Sequence, residues 1–186
     1  WAYLSTVDLE KDLHSGLIGP LVVCKSSTLH SGFARQLAVQ EFALLFHTFD
    51  ETKSWYMAEN VRRYCAPPCG LPKGDPHWHR SHKFHAINGY IGDALPGLVM
   101  AQGQRTRWYL LSMGDPEHAH SIHFHAQMVS IHTTQEHRTG VCNLFPGIFG
   151  TLEMQPPQVG TWQIESKVGE SQQAGMRATL LVYNKE

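Results

Sequence analysis

Long apolar runs are missing from this chain. No 18 consecutive apolar residues occur among its 186 positions, so no segment reads as a transmembrane helix. An excess of one charge is missing too. Lys+Arg number 15 against 16 Asp+Glu, a formal charge of -1, which provides no field for steering onto DNA or RNA and excludes nucleic acid as an expected partner. Charged residues are only 17% beside 42% hydrophobic, the balance of a globular chain rather than a disordered one. No GxSxG elbow, Walker A loop or dinucleotide fingerprint is present. Asn60, Asn88, Asn143 and Asn184 all lack the Ser or Thr that N-glycosylation requires. The chain opens at Trp1 with no initiator methionine and no basic start followed by an apolar run. It is therefore expected to be an internal piece of something longer.

Cysteine is sparse: Cys24, Cys65, Cys69 and Cys142. Cys65 and Cys69 bracket Ala-Pro-Pro, which fits a small-loop disulfide, two free thiols or half of a zinc site. No second pair stands at zinc-ribbon spacing, and the disulfide is the expectation carried forward, with the oxidising, extracellular setting it implies. Cys24 has no local mate. Cys142 lies in an apolar stretch and reads as a buried thiol acting as a small hydrophobe.

What is present is strand signal. Residues 17–24, 39–49, 105–113, 121–131, 147–154, 160–166 and 178–183 are short apolar or alternating runs separated by turn residues. Many short strands at such spacing predict an all-β sandwich or barrel. Helix evidence is confined to residues 52–63, expected to form a turn or two. Residues 25–32 (KSSTLHSG) are small and polar and read as a linker; residues 65–82, rich in Pro, Gly and His, read as a long surface loop. The expected organisation is a complete sandwich over 33–186, preceded by the closing strands of another block over 1–32. Trp108 and Tyr109 must fall on opposite faces of one strand.

Histidine is in excess, with 13 residues. The densest run is His120-Ser-Ile-His123-Phe-His125. On a regular strand His123 and His125 share a face, and His120 points the other way. That parity suits two separate metal sites, with His120 inside a sandwich and the pair outside. His77, His79 and His82 in the Pro/Gly-rich loop read as solvated, and His85 as structural. His14, His30, His47, His118, His132 and His137 carry no usable spacing.

The HxxHxH spacing resembles the histidine motif of the last cupredoxin domain of multicopper oxidases. Phe84-His-Ala-Ile-Asn-Gly-Tyr90 resembles the opening strand and turn of that domain in ceruloplasmin-type proteins, His14-Ser-Gly-Leu-Ile-Gly-Pro-Leu-Val-Val-Cys24 the end of the preceding domain, and Ala174-Gly-Met176 the closing copper-methionine segment. Val7–Asp12, Asp50–Tyr56, Gly97–Gln102 and Arg107–Gly114 add to it. Over essentially its whole length the chain resembles the factor V/factor VIII/ceruloplasmin family, and within it the later part of an A3 domain on the factor VIII branch.

The resemblance implies a cupredoxin-like (plastocyanin-like) Greek-key β-sandwich, and it permits a test of the metal chemistry. A blue-copper site needs two imidazoles, a cysteine thiolate and a weak axial methionine. In the family the thiolate heads a Cys-x4-His-x4-Met run, and here those positions are Ser166, Ser171 and Met176. His120 and Met176 thus read as the remnant of a mononuclear site that has lost its sulfur and its second imidazole. The oxidase cysteine is flanked by histidines; here Glu165 and Lys167 flank Ser166. Electron transfer to a trinuclear cluster is therefore not expected. His123 and His125 read as a copper half-site, completed by another A domain. By resemblance, the chain would belong to a secreted, non-enzymatic plasma cofactor that supports cleavage of factor X by factor IXa. Its von Willebrand factor and anionic-membrane contacts would lie in parts outside this stretch. The competing expectation is a ferroxidase of the ceruloplasmin or hephaestin type.

Overall fold

A computed structural model describes residues 1–24, 39–66, 74–114, 119–132 and 136–184. Strands dominate: β1 Ala2–Leu4, β2 Ile18–Pro20, β3 Gln40–Asp50, β4 Lys83–Ile87, β5 Val99–Ala101, β6 Thr106–Ser112, β7 His120–Phe124, β8 Val129–His132, β9 Glu136–Thr139, β10 Val141–Leu144, β11 Phe149–Met154, β12 Gly160–Ser166 and β13 Arg177–Tyr183. Helices are short: α1 Leu9–His14, α2 Met57–Tyr64, α3 Pro76–Ser81 and α4 Gly169–Gln173. One sheet runs β10-β7-β12-β13-β5, the other β4-β3-β6-β11-β8-β9. The pairings β3–β6 and β13–β5 are parallel, so the chain crosses between sheets instead of meandering. The fold is all-β and cupredoxin-like, as expected.

Period-two alternation explains the packing. On β6, Thr106, Trp108 and Leu110 are buried, while Arg107 and Tyr109 reach the outer surface. On β13, Ala178, Leu180 and Val182 face in. Together with Leu44, Phe46, Ile122, Phe124, Leu152 and Ile164 they form one apolar core between the sheets. The outward residues of the six-stranded sheet are tied by charge. Glu153 accepts from Arg105 and Arg107, and Arg107 and Tyr109 both donate to Glu41. Beyond β4, Asn88-Gly89, both at positive φ as a two-residue primed turn demands, reverse the chain so that Ile87 and Tyr90 exchange backbone hydrogen bonds. The Asn88 side chain accepts from Leu45 N–H and donates to the Ala43 carbonyl.

Three expectations are corrected. Residues 121–131 are not one strand. The run breaks after Phe124, with Ala126 at φ 53°, so β7 joins the five-stranded sheet while β8 joins the six-stranded one. An apolar run that switches sheets keeps its alternation, so composition cannot reveal the corner. The loop expected over 65–82 contains helix α3. Asp75 caps it by accepting from His77 N–H at 2.8 Å, and Pro76 takes the first helical position, where no backbone donor is missed. The helix expected over 52–63 is shifted and divided into a 3-10 turn at Glu51–Lys53 and α2.

Residues 1–24 form a hairpin of their own, β1 with β2, around α1. The Tyr3 ring lies where a Cβ on its partner Gly19 would stand, so only glycine fits there. This unit grips the sandwich at one seam. Trp55 Nε1–H donates to Asp12 at 2.8 Å and Trp55 N–H donates to Ser15 Oγ at 3.0 Å. Lys53 pairs with Glu10 at 2.8 Å, and Asp50 N–H donates to His14 Nδ1 at 3.0 Å. The linker at 25–32 and the boundary at 32/33 lie outside the described residues.

Candidate metal-site remnant

The strand β7 separates its histidines as parity requires. His120, Ile122 and Phe124 are buried on the core side; Ser121 and His123 lie on the other face, half-buried. His125 stands one residue past the strand end, yet its N–H still donates to the Gln163 carbonyl at 2.9 Å and its side chain remains on the outer side.

On the inner side, the positions that form a copper site in the resembling family converge. His120 Nδ1 shares a 3.1 Å hydrogen bond with Ser166 Oγ, and both are buried. Ser166 N–H donates to the Met176 carbonyl at 3.0 Å, and Met176 N–H donates to the Ser171 carbonyl at 2.9 Å. Met176 is 1% exposed. These backbone bonds keep α4 and its flanks against the sheet, so the cradle persists although its donors have changed. Ser171 Oγ is 3.2 Å from His85 Nδ1, which also lies 3.1 Å from Thr48 Oγ1. The result is a hydrogen-bonded network of imidazoles and hydroxyls. A hydroxyl supplies neither the negative charge nor the soft sulfur donation of a thiolate. The residues present do not fit blue copper.

On the outer side, register brings Glu165 opposite His123. The Glu165 carboxylate accepts from His125 Nε2, and Lys167 Nζ lies 2.6 Å from the same oxygen. Partial burial pushes the Glu165 carboxyl up, but hydrogen bonds and charge from Lys167 and His125 outweigh it and hold it below the usual carboxylate range. Burial, then the Lys167 and His125 charges, pushes His123 below the usual imidazole range. His123 shares a 3.3 Å hydrogen bond with Ser121. Among the described residues no group of three or more His, Cys, Asp or Glu could hold a metal ion. His125 thus belongs to a salt-bridged triad with Glu165 and Lys167, and His123 stands beside it.

Three histidine positions behave otherwise than expected. His82 is not solvated: its Nδ1 is 3.0 Å from Glu51 Oε2, and its ring meets Trp78 at 4.5 Å. His85 joins the remnant through Ser171, and His14 bonds the sandwich. The register Thr48↔His85 carried the only signal for the second of these, and register is a cross-strand property. Cys142 is buried, and burial pushes its thiol up. Cys24 is an exposed free thiol. Cys65 has no free thiol, and its expected mate Cys69 lies outside the described residues.

Known proteins place this geometry. No protein-family model matches the chain. Coagulation factor VIII of Sus scrofa is 59% identical over 186 residues, covering 100% of the chain and 9% of that protein. Factor VIII of Homo sapiens is 55% identical over 184 residues, 99% of the chain and 8% of that protein. Coagulation factor V of Sus scrofa is 44% identical over 186 residues, 100% of the chain and 8% of that protein. Over essentially its whole length the chain is similar to coagulation factors VIII and V. It spans less than a tenth of the length of these relatives. In structure it is similar to a blue copper oxidase from Nitrosomonas europaea, with TM-score 0.61 and 15% identity over 95% of the chain and 53% of that one. A multicopper oxidase from Campylobacter jejuni gives TM-score 0.58 and 14% identity over 78% of the chain and 30% of that one. At such identities the likeness concerns the fold alone.

Proposed function

We propose that this chain is the later part of the A3 domain of a secreted, non-enzymatic procoagulant cofactor of the factor VIII type, supporting cleavage of factor X by factor IXa. The observation that supports it most is Glu165-Ser166-Lys167. Where an oxidase needs His-Cys-His, this segment turns a hydroxyl toward His120 and an ion pair toward His125. Such a site has no route for an electron between two copper centres. The family relatives point to coagulation, and the sandwich serves there as scaffold and interdomain contact. Residues 33–186 are taken as one domain and 1–32 as the end of the one before, with a Cys65–Cys69 bridge and an extracellular plasma setting. Contacts with von Willebrand factor and anionic membranes are assigned to parts outside the chain. Copper enters only as an ion shared with another A domain at His123 and His125, for which His125 must leave Glu165.

Two measurements test this. Loaded with copper, the protein should show no intense thiolate-to-copper colour and should not oxidise ferrous iron; either would restore the ceruloplasmin-type ferroxidase reading. In the full-length protein, replacing His123 and His125 by Ala should leave the sandwich folded and weaken its association with the partner A domain. Unchanged association and unchanged copper content would remove the shared-copper part while leaving the cofactor assignment standing.

A further inference from the structure

We propose that the end of α2 is a cleavage site for arginine-specific serine proteases, kept closed by one carboxylate, Glu59. The inference does not depend on the cofactor assignment. Residues 61–64, Val-Arg-Arg-Tyr, form the last turn of α2, and all four are exposed. The Arg62 and Arg63 side chains are 70% and 59% exposed, and Tyr64 is 79% exposed. A serine protease with a carboxylate at the base of its S1 pocket cuts after such an arginine.

Nothing in the core holds this turn. The helix has eight residues, none of them buried, and Tyr56 ahead of it contributes no side-chain cap. Asn60 Nδ2 ties the first half of the helix to Glu51. Among the described residues, the bonds of the last turn stay within the helix and its cap: Arg62 and Arg63 reach Glu59, and Cys65 N–H donates to the Val61 carbonyl at 3.1 Å. A helix this short is marginal by itself. It opens without taking any side chain out of the core, so its opening lies at the low end of the stability range. The chain leaves it at Cys65 in an extended conformation, the form in which a peptide adds to a partner's strand.

Glu59 is the clamp. It accepts from Arg62 Nε at 2.9 Å and Nη2 at 2.7 Å, and from Arg63 Nε. The Arg62 hydrogen bonds, with those of Arg63, hold its carboxyl below the usual carboxylate range, so the clamp is charged at neutral pH. To be cut, Arg63 must exchange Glu59 for the carboxylate of the S1 pocket, and the last turn must unwind. Glu59 opposes both steps, since its pairs at i,i+3 and i,i+4 exist only in the helix. Once the bond is seated, the protease's serine takes the Arg63 acyl group and Tyr64 leaves with a free amino group. Water then releases the acyl group as a carboxylate on Arg63.

The sheet survives the cut. Strands β3 and β4, before and after the site, are antiparallel neighbours from Phe46↔Ile87 to Asp50↔Lys83. The cut falls in the connection between them, so the two fragments stay paired. Arg107 on β6 and Arg177 on β13 differ: both strands are internal, with a hydrogen-bonded neighbour on either side. They reach a protease only if a sheet opens.

Limited proteolysis of the intact protein with trypsin at neutral pH, read by mass spectrometry of new N-termini, tests the site. An N-terminus at Tyr64 should appear while the bonds after Arg107 and Arg177 remain whole and far-UV circular dichroism is unchanged. Glu59→Gln keeps the shape and helix propensity of the side chain and removes its charge. It should raise the rate of this cut about three- to fivefold, the worth of two helical ion pairs when cleavage follows the open population. Fragments 1–63 and 64–186 should stay together until denaturant is added. Any of three results overturns the proposal: no N-terminus at Tyr64 by the time Arg107 or Arg177 is cut, a rate unchanged in Glu59→Gln, or fragments that part without denaturant.

Discussion

His120 and His123 stand three residues apart on one strand and face opposite environments. His120 is 2% exposed and shares a hydrogen bond with a serine hydroxyl. His123 lies beside Glu165 and Lys167, in a patch organised by ion pairs. The two arrangements are written by three consecutive residues at the end of β12 and just past it: Ser166 turns inward, Glu165 and Lys167 turn outward. Replacing a His-Cys-His by Glu-Ser-Lys thus changes both faces at once, because strand alternation delivers the middle residue to one side and its neighbours to the other. The inner face keeps the shape of a metal cradle with oxygen in place of sulfur. The outer face neutralises itself by a salt-bridged triad.

The comparison can be broken most decisively from inside. The double substitution Ser166→Cys and Ser171→His restores a thiolate and a second imidazole beside His120 and Met176. It should convert a colourless protein into an intensely coloured copper protein, read by visible absorption on titration with cupric ion. A protein that folds and binds no copper would show that the cradle has collapsed around its hydroxyls. Ile122→Ala, on the same inner face, leaves a cavity among fully buried neighbours and should cost about 2–5 kcal/mol in denaturant unfolding.

Outer-face changes should be smaller. Glu165→Gln removes the negative charge between His125 and Lys167 and should cost about 1 kcal/mol. Its pH dependence has a definite sign. Glu165 titrates below the ordinary glutamate value of 4.5 in the folded protein. Its contribution is therefore present above that value and disappears as pH falls through the lower, folded one. His123, held below the ordinary imidazole value of 6.5, adds a separate loss that begins below that pH and grows until pH reaches the lower, folded value. A wild-type stability profile that stays flat as pH falls from neutrality through both ranges, or one that falls identically in Glu165→Gln and His123→Ala, would contradict the assignment. Smallest of all, Lys167→Ala should cost less than about 1 kcal/mol, because the ammonium is half-exposed and Glu165 keeps His125.

Much of this architecture was legible in residue order. The runs 39–49, 105–113, 147–154, 160–166 and 178–183 became β3, β6, β11, β12 and β13 with shifts of a residue or two. Parity alone placed His120 opposite His123, and Trp108 opposite Tyr109, since period-two alternation is local. The sheet switch at Ala126 was not legible, because both flanks of the corner remain apolar. Nor were the Asp75-Pro76 helix start inside a Pro/Gly-rich stretch, the partnership of His82 with Glu51, or that of His14 with Asp50. These contacts join residues 31 and 36 positions apart, so no window along the chain holds both partners.

The sequence by itself determined the fold class and the presence of a hydroxyl, not a thiol, at position 166. Alternation of apolar and polar residues builds strands from local preferences, and no folding can make a serine into a thiolate. Only tertiary structure decided which hydroxyl meets which imidazole, and that Glu165 and Lys167 close on His125. Each of these depends on strand register and on the approach of distant segments, which are settled by packing of the whole core rather than by neighbours in the chain.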